Sequence, residues 1–441
     1  MKKNKFFVWG MLAAALTFGV ISAGCDTGTS SGGGDDDDTP VEIGTLAELN
    51  AISANAKSLG RNYKLTADIT GVTTPVGIVS GADFAGFTGD FDGNGHSIAV
   101  NITSGLTVST GPLAGIYGGL FAGIDADGSV HDLTVDGRVN ITTSGNLRVV
   151  AGGIAAGMFT GASIKNVSSS VVVNVTSSGN GDVVAGGIAG GVMAATVSNS
   201  HATGNVSAAS TSTSGDINAD AGGVVGAVMS GDLSGVYATG NVSASAGGKN
   251  AQAGGIVGAA DESSQVTNVY ATGNVSATGT ATRADAGGIA GNSGGGAIRW
   301  AYATGSVSVT ANGTRAQAGG IVGNIDPASV SNTVALSASV GITGSASQQD
   351  AHRVIGRVGS ERGTSMAKNY GNAALTPTES SYNQDKGADK KDGEDITVTG
   401  GPPPAAYTAP GETWWRDTGF SGADWTTVWQ WDGTKGLPVL R

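Results

Sequence analysis

The feature that most constrains this chain is an internal repeat with a period of about 33 residues. A pair of glycines followed by aliphatic residues recurs through the middle of the sequence. The second glycine of each pair stands at positions 119, 153, 187, 223, 255, 288 and 320. Successive copies are therefore separated by roughly 32 to 36 residues, and a steady period between 20 and 50 is typical of stacked supersecondary units that bury their apolar faces only against their neighbours.

A second motif follows the glycine pair after a variable turn. Its four nearly identical copies are VYATGNVSA at 236–244 and 269–277, SHATGNVSA at 200–208 and AYATGSVSV at 301–309. Alternation by two places Val269, Ala271, Gly273 and Val275 on one face of a strand. Small residues on that face suit a narrow interior between stacked coils.

Other positions of the repeat also carry structural expectations. The glycine pair is expected to supply positive φ or close approach at a corner of each coil, and Ile256, directly after one pair, is expected to point inward. His201 stands where the neighbouring copies have tyrosine, so we interpret it as a substituted structural residue. Asparagine amides at one strand position are expected to hydrogen-bond in a ladder along the stack. These belong to Asn166, Asn199, Asn268 and Asn332.

The two motifs together resemble the GLUG-motif repeat of bacterial surface proteins, whose copies begin with a GGLVG-like segment and end with an NYATG-like one. The resemblance covers roughly residues 118–370. It implies an all-β fold, a right-handed parallel β-helix in which each repeat of about 33 residues forms a turn. In that family the repeats are found on lipoproteins, adhesin-like proteins and some immunoglobulin-cleaving peptidases. The resemblance therefore constrains the architecture more than the activity.

The N-terminus is typical of a secretory signal. Three lysines precede an apolar run at residues 6–21, and small residues then lead to Cys25, the only cysteine. This placement resembles a bacterial lipoprotein signal, although Ser22 stands where that signal usually has leucine. It predicts lipid attachment at Cys25 and a bacterial cell-envelope protein anchored to a membrane, at the outer membrane or cell surface. The alternative is an ordinary signal peptide or an uncleaved anchor.

The segments around the repeats predict the ends of a solenoid. Thr45 and Glu48 form a possible capping box at the start of a short amphipathic helix. A glycine- and proline-rich stretch follows the array, and a tail with five of the seven tryptophans closes the chain. The predicted division is a signal peptide at 1–24, a lipidated cysteine and flexible acidic tether at 25–40, an N-terminal cap and first coils at 41–117, the repeat array at 118–370, a loop or linker at 371–413, and a Trp-rich C-terminal cap at 414–441.

Carboxylate pairs are the main candidates for chemistry. Asp90 and Asp92 lie near His96, and Asp125 and Asp127 follow in a DADG turn. Convergent acids could cleave a glycosidic bond. The DADG turn lacks the remaining ligands of a calcium loop. Turns rich in Asp, Asn and Gly arise for local hydrogen-bonding reasons, so we favour turns over a catalytic or metal site at these positions.

Other signatures of catalysis are weak or missing from the sequence. Ser293 lies in a G-x-S-x-G match, but the match falls in the variable turn of a repeat and not in a strand-turn-helix elbow. HExxH, P-loop and CxxC motifs are absent, so we expect no metal and no cofactor. Trp425, Trp429 and Trp431 could stack on sugars. A cap that seals the last coil also needs bulky side chains, and we favour that interpretation.

Composition narrows the class of protein. Glycine is 76 of 441 residues but lacks the collagen period, and 13% charged residues are too few for a charge-rich disordered chain. The chain is therefore expected to fold. The net charge of −12 disfavours nucleic acid as a partner, because phosphates would be repelled.

These observations favour a non-enzymatic, lipid-anchored envelope protein, adhesin-like or an interaction scaffold. It would form a monomeric rod that binds a protein or glycan ligand on the repeat surface. One alternative is a polysaccharide- or peptide-cleaving enzyme that uses the β-helix as its scaffold, which would require Asp90, Asp92, Asp125 and Asp127 to share one cleft. Another is a purely structural envelope component.

Overall fold

The computed structural model describes residues 39–80, 83–214, 216–280, 282–379, 382–401 and 406–441. The predicted signal peptide, Cys25 and most of the predicted tether lie outside them. Within them the chain forms an all-β parallel solenoid of about nine turns, with about 33 residues in each. No helix in these ranges is long and apolar enough to cross a membrane.

One turn of the solenoid consists of four strands. In the turn that begins at Asn250, the strands are Asn250–Gly254, Val257–Asp261, Gln265–Ala271 and Val275–Gly279. Each strand pairs in parallel with its counterpart one repeat later, for example Val269 with Ala301 and Ala271 with Ala303. Backbone hydrogen bonds therefore join turns to each other, and the sequence period sets the register of every sheet.

Three sheets run along the described part of the molecule, with two small hairpins and short helices beside them. Sheet 1 comprises Val41–Ile43, Tyr63–Leu65, Ile69–Val72, Asp90–Asp92, Ser97–Ile102, Ser129–His131, Thr134–Thr143, Ser163–Lys165, Ser168–Ser169, Val172–Ser177, Thr196–Ser198, His201–Ala202, Val206–Ser210, Asp232–Ala238, Val242–Ala246, Gln265–Ala271, Val275–Gly279, Ala297–Ala303, Val307–Ala311, Ser329–Ala335, Val340–Thr343, Ser365–Asn372 and Glu394–Ile396. Sheet 2 comprises Leu106–Val108, Gly115–Gly118, Arg148–Gly152, Val183–Gly186, Asn218–Gly222, Asn250–Gly254, Arg283–Gly287, Arg315–Gly319 and Gln348–His352. Sheet 3 comprises Phe121–Ile124, Ala155–Met158, Ala189–Met193, Val225–Met229, Val257–Asp261, Ala290–Ser293, Val322–Ile325 and Ile355–Val358. The hairpins pair Ile78–Ser80 with Asp83–Ala85 and Trp429–Asp432 with Leu437–Leu440, and the helices are Leu46–Ala51, Ile52–Ala54, Ala56–Leu59, Glu412–Trp414 and Trp415–Gly419.

The interior contains rows of small aliphatic side chains, as the sequence predicts. Ile256 is fully buried, and so are Val269, Ala271 and Val275. Gly273 departs from the prediction, because it lies at a corner between two strands of sheet 1 and not within one strand. A Cβ there would lie against the carbonyl of Gly240, so this corner tolerates only glycine.

The glycine pairs are required for close approach. Neither Gly254 nor Gly255 has a positive φ. A Cβ on Gly254 would lie inside contact distance of the Val257 carbonyl oxygen, and one on Gly255 would meet the carbonyl oxygen of Gly288 in the next turn. Of the two alternatives that the sequence left open, close approach is confirmed at this pair, and positive φ is not adopted.

Substitution at one of these pairs tests the close approach. We expect Gly255→Ala to lower the free energy of unfolding by about 1–3 kcal/mol, the usual cost of forcing a methyl group into a packed site. Gly401→Ala is the matched control, since a Cβ at Gly401 meets nothing within 4 Å. Urea unfolding followed by circular dichroism measures both. Equal stability of the two variants would contradict the packing argument.

The recurrent asparagines turn a corner and do not form the expected ladder. Asn166, Asn199, Asn268 and Asn332 have φ between 47° and 55°, the left-handed region that asparagine tolerates better than most residues. The intervening turns place Gly235 and Trp300 at the same register position, which interrupts any row of amides. The ladder prediction is therefore wrong at these positions.

Other asparagines do connect successive turns. The amide oxygen of Asn205 accepts from the Asn241 backbone N–H at 2.8 Å. In the same way, the Asn241 amide oxygen accepts from the Asn274 backbone N–H at 2.9 Å. The Asn274 amide oxygen in turn accepts from the Ser306 backbone N–H at 2.9 Å. These bonds fix the corner that follows each ATG segment.

A second buried layer, which we call the seam, lies between sheets 2 and 3. It is apolar in the early turns, where it contains Tyr117, Val150 and Val184. In the later turns the row continues in register from Val184 with polar residues. These are Asp220, Gln252, Asp285, Gln317 and Asp350.

Contacts across the seam join sheets 2 and 3. The Arg283 guanidinium bonds to Asp285 within sheet 2 and to Asn292 Oδ1 of sheet 3 at 2.9 Å. Asp220 is fully buried, and neither of its carboxylate oxygens has a hydrogen-bond partner among the described residues. The polar half of the seam is therefore incompletely satisfied at Asp220.

The short N-terminal helix is confirmed with its capping box. The Glu48 backbone N–H donates to Thr45 Oγ1 at 3.3 Å, and the Thr45 N–H donates to Glu48 Oε2 at 3.0 Å. Leu49 and Ile52 are fully buried in the same core as the first coils. The helix thus adds apolar cover to the N-terminal end of the interior.

The segment predicted as a loop or linker contributes to the solenoid. Glu394–Ile396 pairs in parallel with residues 370–372 of the last full turn. The Lys391 carbonyl accepts from the backbone N–H groups of Val354 and Ile355. Asp392 is buried and accepts from the Arg353 N–H at 2.9 Å. Residues 391–396 therefore extend the stacking beyond the last full turn although the repeat motif has ended.

Candidate functional site

The structure brings one predicted acid pair to a histidine that sequence reasoning did not select. Asp90 and Asp92 pair in register with Ser129 and His131 on the next strand of sheet 1. His131 Nε2 lies 3.2 Å from Asp90 Oδ2, and Nδ1 lies 2.8 Å from Asp132 Oδ2. The Ser129 hydroxyl also bonds to Asp90. One ligand atom from each of Asp92, His131 and Asp132 lies within 4.8 Å of the others, so these three could contact a cation.

The carboxylates of this cluster favour the protonated form of His131. Burial lowers the pKa of His131, but hydrogen bonds to Asp132 and Asp90 outweigh it, so the net shift is upward. The hydrogen bond from His131 lowers the pKa of Asp132. Asp90 and Ser129 are farther apart in the sequence than one repeat period, which is why counting by the period does not reveal the pairing.

The other predicted acids lie after a strand of sheet 3. Asp125 accepts a hydrogen bond from the Gly86 N–H at 3.0 Å, and burial raises its pKa to about 6. Asp127 occupies an exposed turn with φ of 69°. The contacts of Asp90 and Asp92 are to His131 and Lys64 instead. Each pair therefore has its own local partners.

Ser293 has the environment of a structural residue. It is buried at the end of the strand Ala290–Ser293, and its hydroxyl donates to the Gly295 carbonyl at 3.1 Å. The strand-turn-helix elbow that a nucleophilic serine needs is not formed here, because the chain continues into the next strand of sheet 1.

A column of aromatic rings runs along the outside of sheet 1. The rings of His201, Tyr237, Tyr270 and Tyr302 stack in register, with centroids 4.6, 4.7 and 5.0 Å apart and interplanar angles of 2–5°. His201 therefore takes the place of a tyrosine, as the sequence indicates. At the N-terminal end of the column, Ser168 Oγ lies 3.0 Å from His201 Nε2.

The Trp-rich tail packs against the side of this column. Trp415, Phe420 and Trp429 are fully buried. Trp415 meets the Tyr302 ring at 5.5 Å and 64°, and the Tyr302 hydroxyl donates to the Pro438 carbonyl at 2.8 Å. The tail thus forms an aromatic cluster near the C-terminus, as expected. It lies along the outside of several turns, whereas the sequence predicted a cap that seals the last coil.

The polar contacts of the tail are to the corner residues of the same turns. Trp429 Nε1 donates to Asn268 Oδ1 at 2.9 Å. The Ser421 carbonyl accepts from Trp300 and Asn332, both at 3.4 Å. Three turns are therefore tied to one short segment.

This packing determines what the candidate sugar-binding tryptophans can contact. Trp429 is fully buried in the cluster. Trp425 carries the Arg416 guanidinium 4.5 Å from its ring centroid, and Trp431 is half-buried beside the cluster. Trp429 acts as a packing residue, and Trp425 already has a cation over its ring.

Shallow grooves lie open on sheet 1 of the described structure, and two of them are lined by polar side chains from successive repeats. The first has a volume of about 370 Å³ and lies on turns N-terminal to those that the tail covers. Its lining includes Asp132, Thr134, Asn166, Ser168, Asn199 and His201. The second has a volume of about 450 Å³ and runs across the sheet 1 strands that begin at Val172, Val206, Val242 and Val275. Its lining includes Asn174, Asn205, Ser207, Asn241, Ser243, Asn274 and Ser276. Both present amides and hydroxyls at the spacing of the turns.

Comparison with known proteins supports the repeat class. A family model described as the GLUG motif matches residues 249–276. Halomucin from Haloquadratum walsbyi is 35% identical over 120 residues, which cover 25% of this chain and 1% of halomucin. The chain thus spans about 1% of the length of that relative. The fold and the motif match together define a β-solenoid repeat protein that carries the GLUG motif.

One solved structure resembles the chain over most of its length. It is a Bacteroides ovatus protein described as a candidate immunoglobulin A1 protease, 18% identical, with a TM-score of 0.44, and the match covers 92% of this chain and 93% of that one.

Proposed function

We propose that this protein is a non-enzymatic, lipid-anchored envelope protein whose solenoid presents a binding face to a partner, in the manner of an adhesin or interaction scaffold. The observation that carries the proposal is the outward face of sheet 1. There asparagine, serine and threonine side chains recur turn after turn, in strands about 4.8 Å apart.

The spacing of these groups favours an extended ligand. The groove with Asn174, Asn205, Asn241 and Asn274 in its lining crosses four successive turns. Because the Asn205 and Asn241 amides are held by the backbone of the next turn, their positions are fixed before a ligand arrives. Preorganised donors and acceptors reduce the entropy lost on binding. A glycan or an extended polypeptide fits such a face better than a compact small molecule does.

The anchor of the proposal rests on the sequence before residue 39. A basic start, an apolar run and Cys25 support export and lipid attachment. Residues 26–38, rich in Gly, Ser and Asp, have the composition of a flexible spacer. Such a spacer would hold the solenoid away from the membrane.

Protease shaving of intact cells tests the location and the anchor together. We expect fragments of residues 118–370 to disappear from cells that remain unlysed, while a cytoplasmic marker protein survives. The Cys25→Ser variant is the control, and it is expected to leave the membrane fraction because the thioether for lipid attachment cannot form. Full protection of the array in intact cells would contradict surface display. Unchanged membrane retention of the variant would contradict the lipid anchor.

A further inference from the structure

The tail covers only part of a longer face of sheet 1, which we call the column face. In each turn this face consists of the residue at the left-handed corner and the residue two positions later. Parallel register aligns the second residues of successive turns. From the N-terminal side, the pairs are Asp132 with Thr134, Asn166 with Ser168, Asn199 with His201, Gly235 with Tyr237, Asn268 with Tyr270, Trp300 with Tyr302, Asn332 with Val334, and Lys368 with Tyr370.

The exposure of the column face changes at the limit of the area that the tail covers. Tyr270 and Tyr302 are 7% and 1% exposed because the tail covers them. Tyr237 and His201 are half-buried, and Asn199 is exposed. The same stack of rings therefore passes from a covered half to an open half without a break in geometry.

The covered half shows how this face binds a polypeptide. The Trp429 indole N–H donates to the corner amide of Asn268, while its ring lies 6.4 Å from the Tyr270 ring at 42°. A single tryptophan thus makes one polar contact to the corner residue and one aromatic contact to the column. The stack presents ring edges outward, and edges attract the faces of other aromatic rings.

The open half repeats the same pair of groups. Asn199 has a φ of 47°, close to the 55° of Asn268, so the two side chains leave the backbone from equivalent corners. His201 stacks on Tyr237 at 4.6 Å and 2°, and it thereby continues the plane spacing of the tyrosines. Asn199 and His201 thus place an exposed amide acceptor beside an aromatic ring edge. Trp429 contacts the same arrangement at Asn268 and Tyr270, two turns further along the solenoid.

We infer that the open half of the column face, centred on Asn199, His201 and Tyr237, binds an extended polypeptide of a partner protein through a tryptophan of that partner. The site continues an interface that the chain already forms with its own tail. Beyond Asn199 the groove that includes Asp132, Asn166 and Ser168 offers further hydrogen-bonding groups to the rest of the segment. This inference rests on the proposed function, because it names the partner class of the interaction scaffold.

A labelled peptide tests the inference on the purified full chain. The probe is a synthetic peptide of residues 424–441, which contains Trp429 and can be followed by fluorescence anisotropy. We expect saturable binding that weakens at least tenfold when Trp429 of the peptide is replaced by alanine. The protein variant Asn199→Gly with His201→Ser is expected to show the same loss. These replacements are the residues that neighbouring turns carry at the same positions, Gly235 and Ser168, so the fold tolerates them.

One further variant serves as a matched control. Thr203→Ala with Thr239→Ala changes exposed residues of the same two turns and is expected to leave binding unchanged.

The outcomes separate this site from the tail's own site. Binding that survives Asn199→Gly with His201→Ser but is lost in Asn268→Ala would mean that the peptide displaces the tail, and the inference would be wrong. Absence of saturable binding up to about 1 mM peptide, the range of very weak contacts, would also overturn it. Because the assay uses purified protein, its result is independent of the cell-surface shaving experiment.

Discussion

Replacing Ile256 by aspartate is expected to lower the free energy of unfolding by about 4 kcal/mol or more, the cost of an unpaired charge in a packed interior. Ile256 is fully buried, as are Val224 before it and Ile289 after it in the same row. Its backbone N–H donates to Ile289 at 2.9 Å, and its carbonyl accepts from Val224 at 3.0 Å. A carboxylate at this position would find only hydrocarbon around it.

The substitution is also expected to make the turns on either side of Ile256 unfold more independently of each other. In a stack of repeats, stability is a sum of unit terms and nearest-neighbour terms, so a defect at Ile256 weakens the coupling between the turns on either side. Thermal and urea unfolding followed by circular dichroism measure the total loss, and limited proteolysis locates it. Val172→Asp is the control, because Val172 is 46% exposed. Stability of Ile256→Asp within error of that control would refute the inward row.

Replacing Asp220 by asparagine is expected to stabilise the protein at neutral and alkaline pH. Burial raises the pKa of Asp220 well above its usual range, and the carboxylates of Asp182, Asp261 and Asp285 add to the shift. Asp220 therefore retains its proton in the folded chain at pH values where the unfolded chain has lost it. Between the unfolded and the folded pKa, the free energy of unfolding falls by about 1.4 kcal/mol per pH unit as pH rises.

Asparagine removes this pH dependence and supplies a donor. Gln252, in register with Asp220, has an amide oxygen without a partner among the described residues, because its Nε2 is directed to Asp285 at 3.4 Å. The new amide N–H can donate to that oxygen. Unfolding free energies of Asp220→Asn and of the exposed control Asp232→Asn are to be compared from pH 4 to pH 9. A parallel pH dependence in the two variants would show that Asp220 is not the group responsible.

The repeat period carried most of the fold because parallel stacking pairs each residue with its equivalent in the next copy. Val236, Val269 and Ala301 lie in one row for that reason, and the inward position of Ile256 follows from the same logic. The capping box at Thr45 was predictable because its hydrogen bonds are local. The split of the strand at Gly273 was missed, since alternation alone does not reveal a corner.

Contacts outside the period could not be read in the same way. Trp429 and Asn268 are separated by 161 residues, and Ser421 and Trp300 by 121. The tail occurs once, so no second copy indicates where it packs. The pairing of Asp90 with His131 occurs in the first coils, where the spacing departs from the period. Residues 391–396 lack the repeat motif, and only their backbone hydrogen bonds and strand pairing continue the stack.

The fold-back of the tail decides where this rod would give way under a pulling force. Parallel turns that are hydrogen-bonded only to their neighbours separate one at a time. At the C-terminal end the tail bridges the turns of Asn268, Trp300 and Asn332, so these turns must be sheared together before any of them peels away. The described tail residues make no such contacts with the turns around Asn166 and Asn199. A pulling force along the solenoid would therefore separate the turns without tail contacts first, and the turns that the tail bridges would separate last.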